Sequence, residues 1–161
     1  MNDSVAKPSR LSAANSTVLR KVRALRGGVE AMRSAGQTYL PKEERETEKD
    51  YLDRLARSWF YPALDEAIED DADRVFSKEV QLGDDVPEVL RQIGENITAE
   101  GRNLNTFARE VFEDGIEAGI SFIFVDGPQR PDGLTLKDEQ ELNLRPYAML
   151  VKAESVIGWQ T

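Results

Sequence analysis

Six carboxylates crowd the stretch from 65 to 73: Asp65, Glu66, Glu69, Asp70, Asp71 and Asp73. Hard divalent cations bind through several oxygens at once, so a cluster of this kind invites a metal-site reading. The EF-hand spacing with its mid-loop glycine is absent, however. Leu64, Ala67, Ile68, Ala72, Val75 and Phe76 recur among the acids at helical steps. The carboxylates therefore read as the solvated face of an amphipathic helix. Asp126 closes an apolar run, a position where a metal-binding carboxylate can sit. Gly127 and Pro128 follow it directly, and that triplet is plain turn chemistry. Trp59-Phe60-Tyr61 has the side chains to stack nucleobases. At helical spacing from Leu52 and Leu55, it is assigned instead to a core.

Several chemistries are closed by composition. The chain has no histidine and no cysteine. That removes the commonest general base, the commonest zinc ligand, thiolate metal sites and disulfides. Neither GxxxxGK[ST] nor GxGxxG occurs, and Gly27-Gly28 lies inside a helical pattern rather than after a strand. No catalytic, cofactor-binding or metal residue is assigned. No apolar run approaches the ~20 residues needed to span a bilayer, and residues 1–4 lack a signal-peptide core, so no membrane association is expected.

Charge is unevenly spread. The net charge is −9, yet residues 1–33 carry seven basic against two acidic groups, or +5, which leaves −14 on the rest. An acidic body repels phosphate, so only the N-terminal segment could attract DNA. The simpler expectation is a basic helix face that docks on the acidic body. Arg20, Arg23 and Arg26 are candidates for contact with the acidic face of a neighbouring subunit. Trp159 is a further interface candidate, because its apolar surface calls for partners elsewhere.

The elements that must position these groups follow from periodicity. Residues 1–15 are small and polar and read as a flexible tail. Thr17 is expected to cap a helix carrying Val18, Val22, Leu25, Val29 and Met32, broken at Gly27-Gly28 and ended at Ala35-Gly36. Tyr39-Leu40-Pro41 is an extended link. Thr47 to Asp50 resembles a capping box opening a helix whose stripe is Tyr51, Leu52, Leu55, Ala56, Trp59 and Phe60. Pro62 breaks it, and the acidic helix follows. Lys78–Leu82 is a candidate short strand, and Asp84-Asp85 with Pro87 starts a helix with Val89, Leu90 and Ile93 on one face. Asn103 or Asn105 caps a helix carrying Leu104, Phe107, Ala108, Val111, Phe112, Gly115 and Gly119. Ile120–Val125 is a buried strand, Thr135–Asn143 a short helix, and Arg145–Val151 a second strand. The expected fold is α+β, mostly helical with a small sheet, in a single domain over residues 16–161.

Several fragments, in order, resemble the N-terminal part of a family of portal-like structural proteins of tailed bacteriophages. They are Arg33–Pro41, Tyr51–Phe60, Gly101–Ala108, Gly119–Asp126, and Arg145-Pro146-Tyr147 followed by Glu154, Ile157 and Trp159. The family pattern runs "G-x-x-YLP", then "G-x-x-L-x-x-F", then "G-…-(V/I)-D-x-P", then "RPY … AE-x-I-x-x-W". The resemblance implies a wing-like fold and the N-terminal fragment of a longer protein. It implies a non-enzymatic virion protein, in host cytoplasm during assembly, that contributes to a homo-oligomeric ring through which DNA is packaged and ejected. Implied partners are capsid, terminase and tail or adaptor proteins, with DNA passing through without sequence-specific binding. The competing readings are a generic helical interaction or adaptor domain and, third, a metal-dependent phosphoryl-transfer enzyme using Asp126 and the carboxylates near residue 70.

Overall fold

The computed structural model describes residues 7–129, 131, 133–142 and 144–158. The described chain is a mostly helical α+β structure with seven α-helices and one two-stranded antiparallel sheet. It divides into two compact units. Of the described residues, one unit holds 7–71 together with 156–158, and the other holds those within 72–155.

In the first unit, α1 runs Arg10–Arg26, so residues 10–15 are helical where composition suggested a tail. Ser9, not Thr17, is the N-cap, its Oγ accepting from Ser12 N at 3.1 Å. Ser9 N also donates to Ile157 O at 2.6 Å, and Ser12 Oγ donates to Val156 O at 3.0 Å. Those bonds tie the first turn to a segment nearly 150 residues away, which no local pattern encodes. The break at the glycine pair is as expected. α1 ends before Gly27, and α2 (Gly28–Ala35) restarts with Gly28 at φ +65°. A Cβ on Gly27 would lie 2.6 Å from Ala31 Cβ, so the close approach of the two helices requires glycine there. Gly36, at φ +52°, turns the chain out of α2.

Thr47 opens α3 (Glu48–Arg57) as anticipated. Its Oγ1 accepts from Asp50 N at 3.2 Å and donates to Asp50 Oδ2 at 2.6 Å. The helix stops at Ser58, whose hydroxyl and amide both donate to Leu55 O. Tyr51 is buried, but Leu52 and Trp59 are not, so the continuous core stripe through Phe60 is corrected. Once the helix ends, residue 59 leaves the helical phase that aligned it with Leu52 and Leu55. α4 (Ala63–Val75) buries Ile68 and Ala72 almost fully, while Ala67 and Val75 of the same predicted apolar face are exposed.

The second unit includes α5 (Glu88–Glu95) and α6 (Leu104–Ala118). Asn103 caps α6, its Oδ1 accepting from Thr106 N at 2.9 Å, and Gly119 ends it in the left-handed region at φ +74°. Asn105 instead accepts from Val80 N at 3.0 Å, and Lys78–Leu82 forms no strand. Phe107 and Ala118 are buried along α6, and Phe112 meets Phe76 edge-to-face at 5.7 Å. Burying a phenylalanine contributes about 1.5–3 kcal/mol. Val89 and Leu90 of α5 stay exposed, contrary to a packed face.

β1 (Phe122–Asp126) and β2 (Tyr147–Val151) pair antiparallel, Phe124 opposite Met149 and Val125 opposite Ala148. Between them lies α7 (Leu136–Glu141), opened by Thr135, whose N and Oγ1 both donate to Asp138 Oδ2. Those bonds hold the Asp138 carboxyl below its ordinary range. The expected helix end at Asn143 falls on a position outside the described residues. β1 is not the buried strand that its apolar run predicts: Ile123, Phe124 and Val125 are all exposed.

Candidate interaction surface

The six carboxylates lie along α4, Asp126 ends β1, and residues 59–61 lie on the segment between α3 and α4. Of the six carboxylates, Asp65 is ion-paired with Arg26, and Glu66 accepts from the Tyr61 hydroxyl at 2.5 Å. Asp73 pairs with Arg109 at 2.7 Å, and Arg109 also binds Glu113 at 2.9 Å, which raises the Arg109 pKa further. Glu69 and Asp70 face solvent. Among the described residues no three acidic side chains converge to hold a metal ion. Asp126 is exposed, and its Oδ1 accepts from Gly127 N at 2.8 Å, the turn contact its neighbours predict. Among the described residues no helix is long and apolar enough to cross a membrane.

The basic candidates part company. Arg20 is exposed and donates to Thr17 Oγ1 at 3.5 Å. Arg23 and Arg26 occupy the last turn of α1, where cations complement the helix dipole. Arg26 reaches across to α4, binding the Asp65 carboxylate and the Asp65 carbonyl. Part of the basic face thus docks on the chain's own acidic helix. Arg33 works similarly, donating to Ser58 O at 2.7 Å and so closing the C-terminal end of α3. Of the proposed interface cations, Arg20 is the one directed to solvent. Trp159 lies outside the described residues.

Pairing also shapes Glu46. Arg54 grips it with Nε and Nη2, both at 2.8 Å, and also donates to Pro41 O. The bidentate guanidinium pulls the Glu46 pKa down to about 2. This clamp holds the link from Pro41 to α3 against the helix, with Arg54 also over the Tyr51 ring at 5.6 Å.

The surface feature that spacing missed is aromatic. Trp59 is 75% exposed and Tyr61 54%, with their rings 6.0 Å apart and tilted by 36°. Tyr61 is anchored by its bond to Glu66, and the adjacent carboxylate raises its pKa. The pair sits on the short extended segment between α3 and α4. Ser58 before it and Pro62 after it were the available clues that this segment leaves the helix. In the second unit, Ile123, Phe124 and Val125 expose a strand, and Val89 and Leu90 expose a helix turn.

Comparison of the chain with family models and with curated protein sequences gives no match.

Proposed function

We propose that this chain is a non-enzymatic structural and assembly module of a tailed-bacteriophage virion, of the portal-like type, belonging to the ring through which DNA is packaged and ejected. The particular family rests on the ordered fragments from Arg33 to Trp159 that resemble portal-like proteins. The structural observation that carries an assembly role is the Trp59–Tyr61 pair, held on the surface with Trp59 three-quarters exposed. Tryptophan and tyrosine are among the residue types enriched at interface hot spots. The −14 borne outside residues 1–33 supports passage of DNA without adhesion, since like charge repels the duplex backbone.

The full-length protein is the object to test. Mass photometry and negative-stain microscopy should show rings for the wild type, weakened by Trp59→Ala or Arg20→Glu with the circular dichroism spectrum unchanged. A full-length protein that stays monomeric at high concentration, with neither substitution altering any association, would overturn the proposal.

A further inference from the structure

The sheet of the second unit has two edges, and they are treated differently. Ala148 N donates at 2.9 Å to Ile97 O, so the Ala148 backbone faces away from β1. Val125 and Ala148 therefore form a non-hydrogen-bonded pair, and the pairs alternate from there. Phe122, Phe124 and Asp126 spend their backbone groups on β2. Ile123 and Val125 point theirs outward.

Ile97 covers the outer side of β2 at Ala148, and is itself held by Arg102, whose carbonyl accepts from Ile97 N at 2.8 Å. Nothing comparable covers β1: among the described residues, Ile123 and Val125 make no backbone hydrogen bond on that side. An edge strand usually carries charge, proline or a bulge to discourage pairing. β1 reads Phe-Ile-Phe-Val-Asp, apolar until its last residue, with Ile123 53% and Val125 65% exposed on one face and Phe124 49% on the other.

We propose that the outer edge of β1 is a docking site for an extended, cationic segment of another protein, added as an antiparallel third strand. Main-chain bonds to Ile123 and Val125 supply the attachment, and alternate side chains of the incoming strand cover Phe124 on one face and Ile123 and Val125 on the other. Charge selects the occupant. Residues 72–155 carry seventeen acidic against nine basic groups, which favours a cationic strand over an acidic one. Within the strand itself the only charged residue is Asp126, which is exposed; among the described residues its carboxylate accepts from Gly127 N. In an antiparallel approach, the residue two before the one opposite Phe124 lies opposite Asp126. A lysine or arginine at that position makes a cross-strand ion pair.

The test uses the protein as it stands and a synthetic peptide of alternating valine and threonine with one amino-terminal lysine. Binding is followed by fluorescence anisotropy and by amide chemical shifts. The expected result is saturable binding that shifts the Ile123 and Val125 amides and weakens with salt. Replacing the peptide lysine by glutamate should weaken it roughly threefold, as cross-strand charge pairs do. Asp126→Lys should reverse that preference, and Asp126→Asn should abolish it while leaving the fold intact. A peptide N-methylated on its edge-facing amides should not bind. Three results would overturn the proposal: no binding, binding indifferent to N-methylation, or concentration-dependent self-association that broadens the β1 amides, which would make a second copy the occupant.

Discussion

Trp59 offers the sharpest test of how this chain divides its apolar residues between core and surface. Periodicity places it on a stripe with Leu52 and Leu55, and a buried tryptophan cut to alanine costs about 3–5 kcal/mol. The structure covers only a quarter of it. A tryptophan presents up to about 250 Å², so roughly 60 Å² is at stake. At about 25 cal/mol per Å² that amounts to ~1.5 kcal/mol, an upper bound because an extended reference overstates burial. Ile68, only 1% exposed, is the natural comparison. Ile68→Ala should cost about 2–5 kcal/mol through lost burial and the cavity left behind. In urea titrations with a slope of ~2 kcal/mol/M, Trp59→Ala should move the midpoint by less than ~0.8 M and Ile68→Ala by ~1–2.5 M. Association should respond in the opposite order, falling with Trp59→Ala. A midpoint shift for Trp59→Ala as large as that for Ile68→Ala would refute the reasoning, because it would place the indole in the core.

Three further outcomes follow from the polar contacts. Glu46 has its pKa lowered from 4.5 to about 2 by Arg54, so its ion pair contributes stability above the unfolded value and loses it as pH falls from about 4.5 toward 2; thermal melts should show that Glu46→Gln flattens the acid limb in that window. Asn103→Ala removes the acceptor of Thr106 N and should cost about 1 kcal/mol, or about 2–4 °C by calorimetry. Arg26 and Asp65 are partly covered, at 21% and 34% exposure. A double-mutant cycle with Arg26→Glu and Asp65→Lys should therefore return a coupling of about 0.5–1 kcal/mol, with the charge-swapped pair recovering part of the loss.

Much of the fold was legible because its signals are local. Thr47 and Asn103 announce helix starts through side-chain bonds that reach only three residues. Gly27-Gly28 and Gly36 announce breaks through backbone freedom, and Ile68 and Ala72 announce a buried face through helical spacing. The antiparallel pairing of β1 with β2 was not itself derived, but two apolar runs flanked by turn residues made both strands visible. The candidate surface was harder. Trp59 and Val125 look the same in a periodic pattern whether they face a core or face water, since hydrophobicity states a preference and not a location. Arg20 and Arg26 likewise share one helix and one charge, and only the position of Asp65 separates the solvent-directed cation from the paired one.

The amino-acid order on its own determined the helical character of the chain, the Thr47 cap, the glycine breaks, the two strands, and the absence of imidazole and thiol chemistry, because each depends on residue type and neighbours within a few positions. The tertiary structure alone decided that α1 starts behind a Ser9 cap, that Ile97 closes one sheet edge while β1 stays open among the described residues, and that the aromatic pair at Trp59 and Tyr61 remains outside. Those outcomes depend on partners tens of residues away, Ile157 for Ser9 and Ala148 for Ile97, and a contact of that span exists only once the chain has folded.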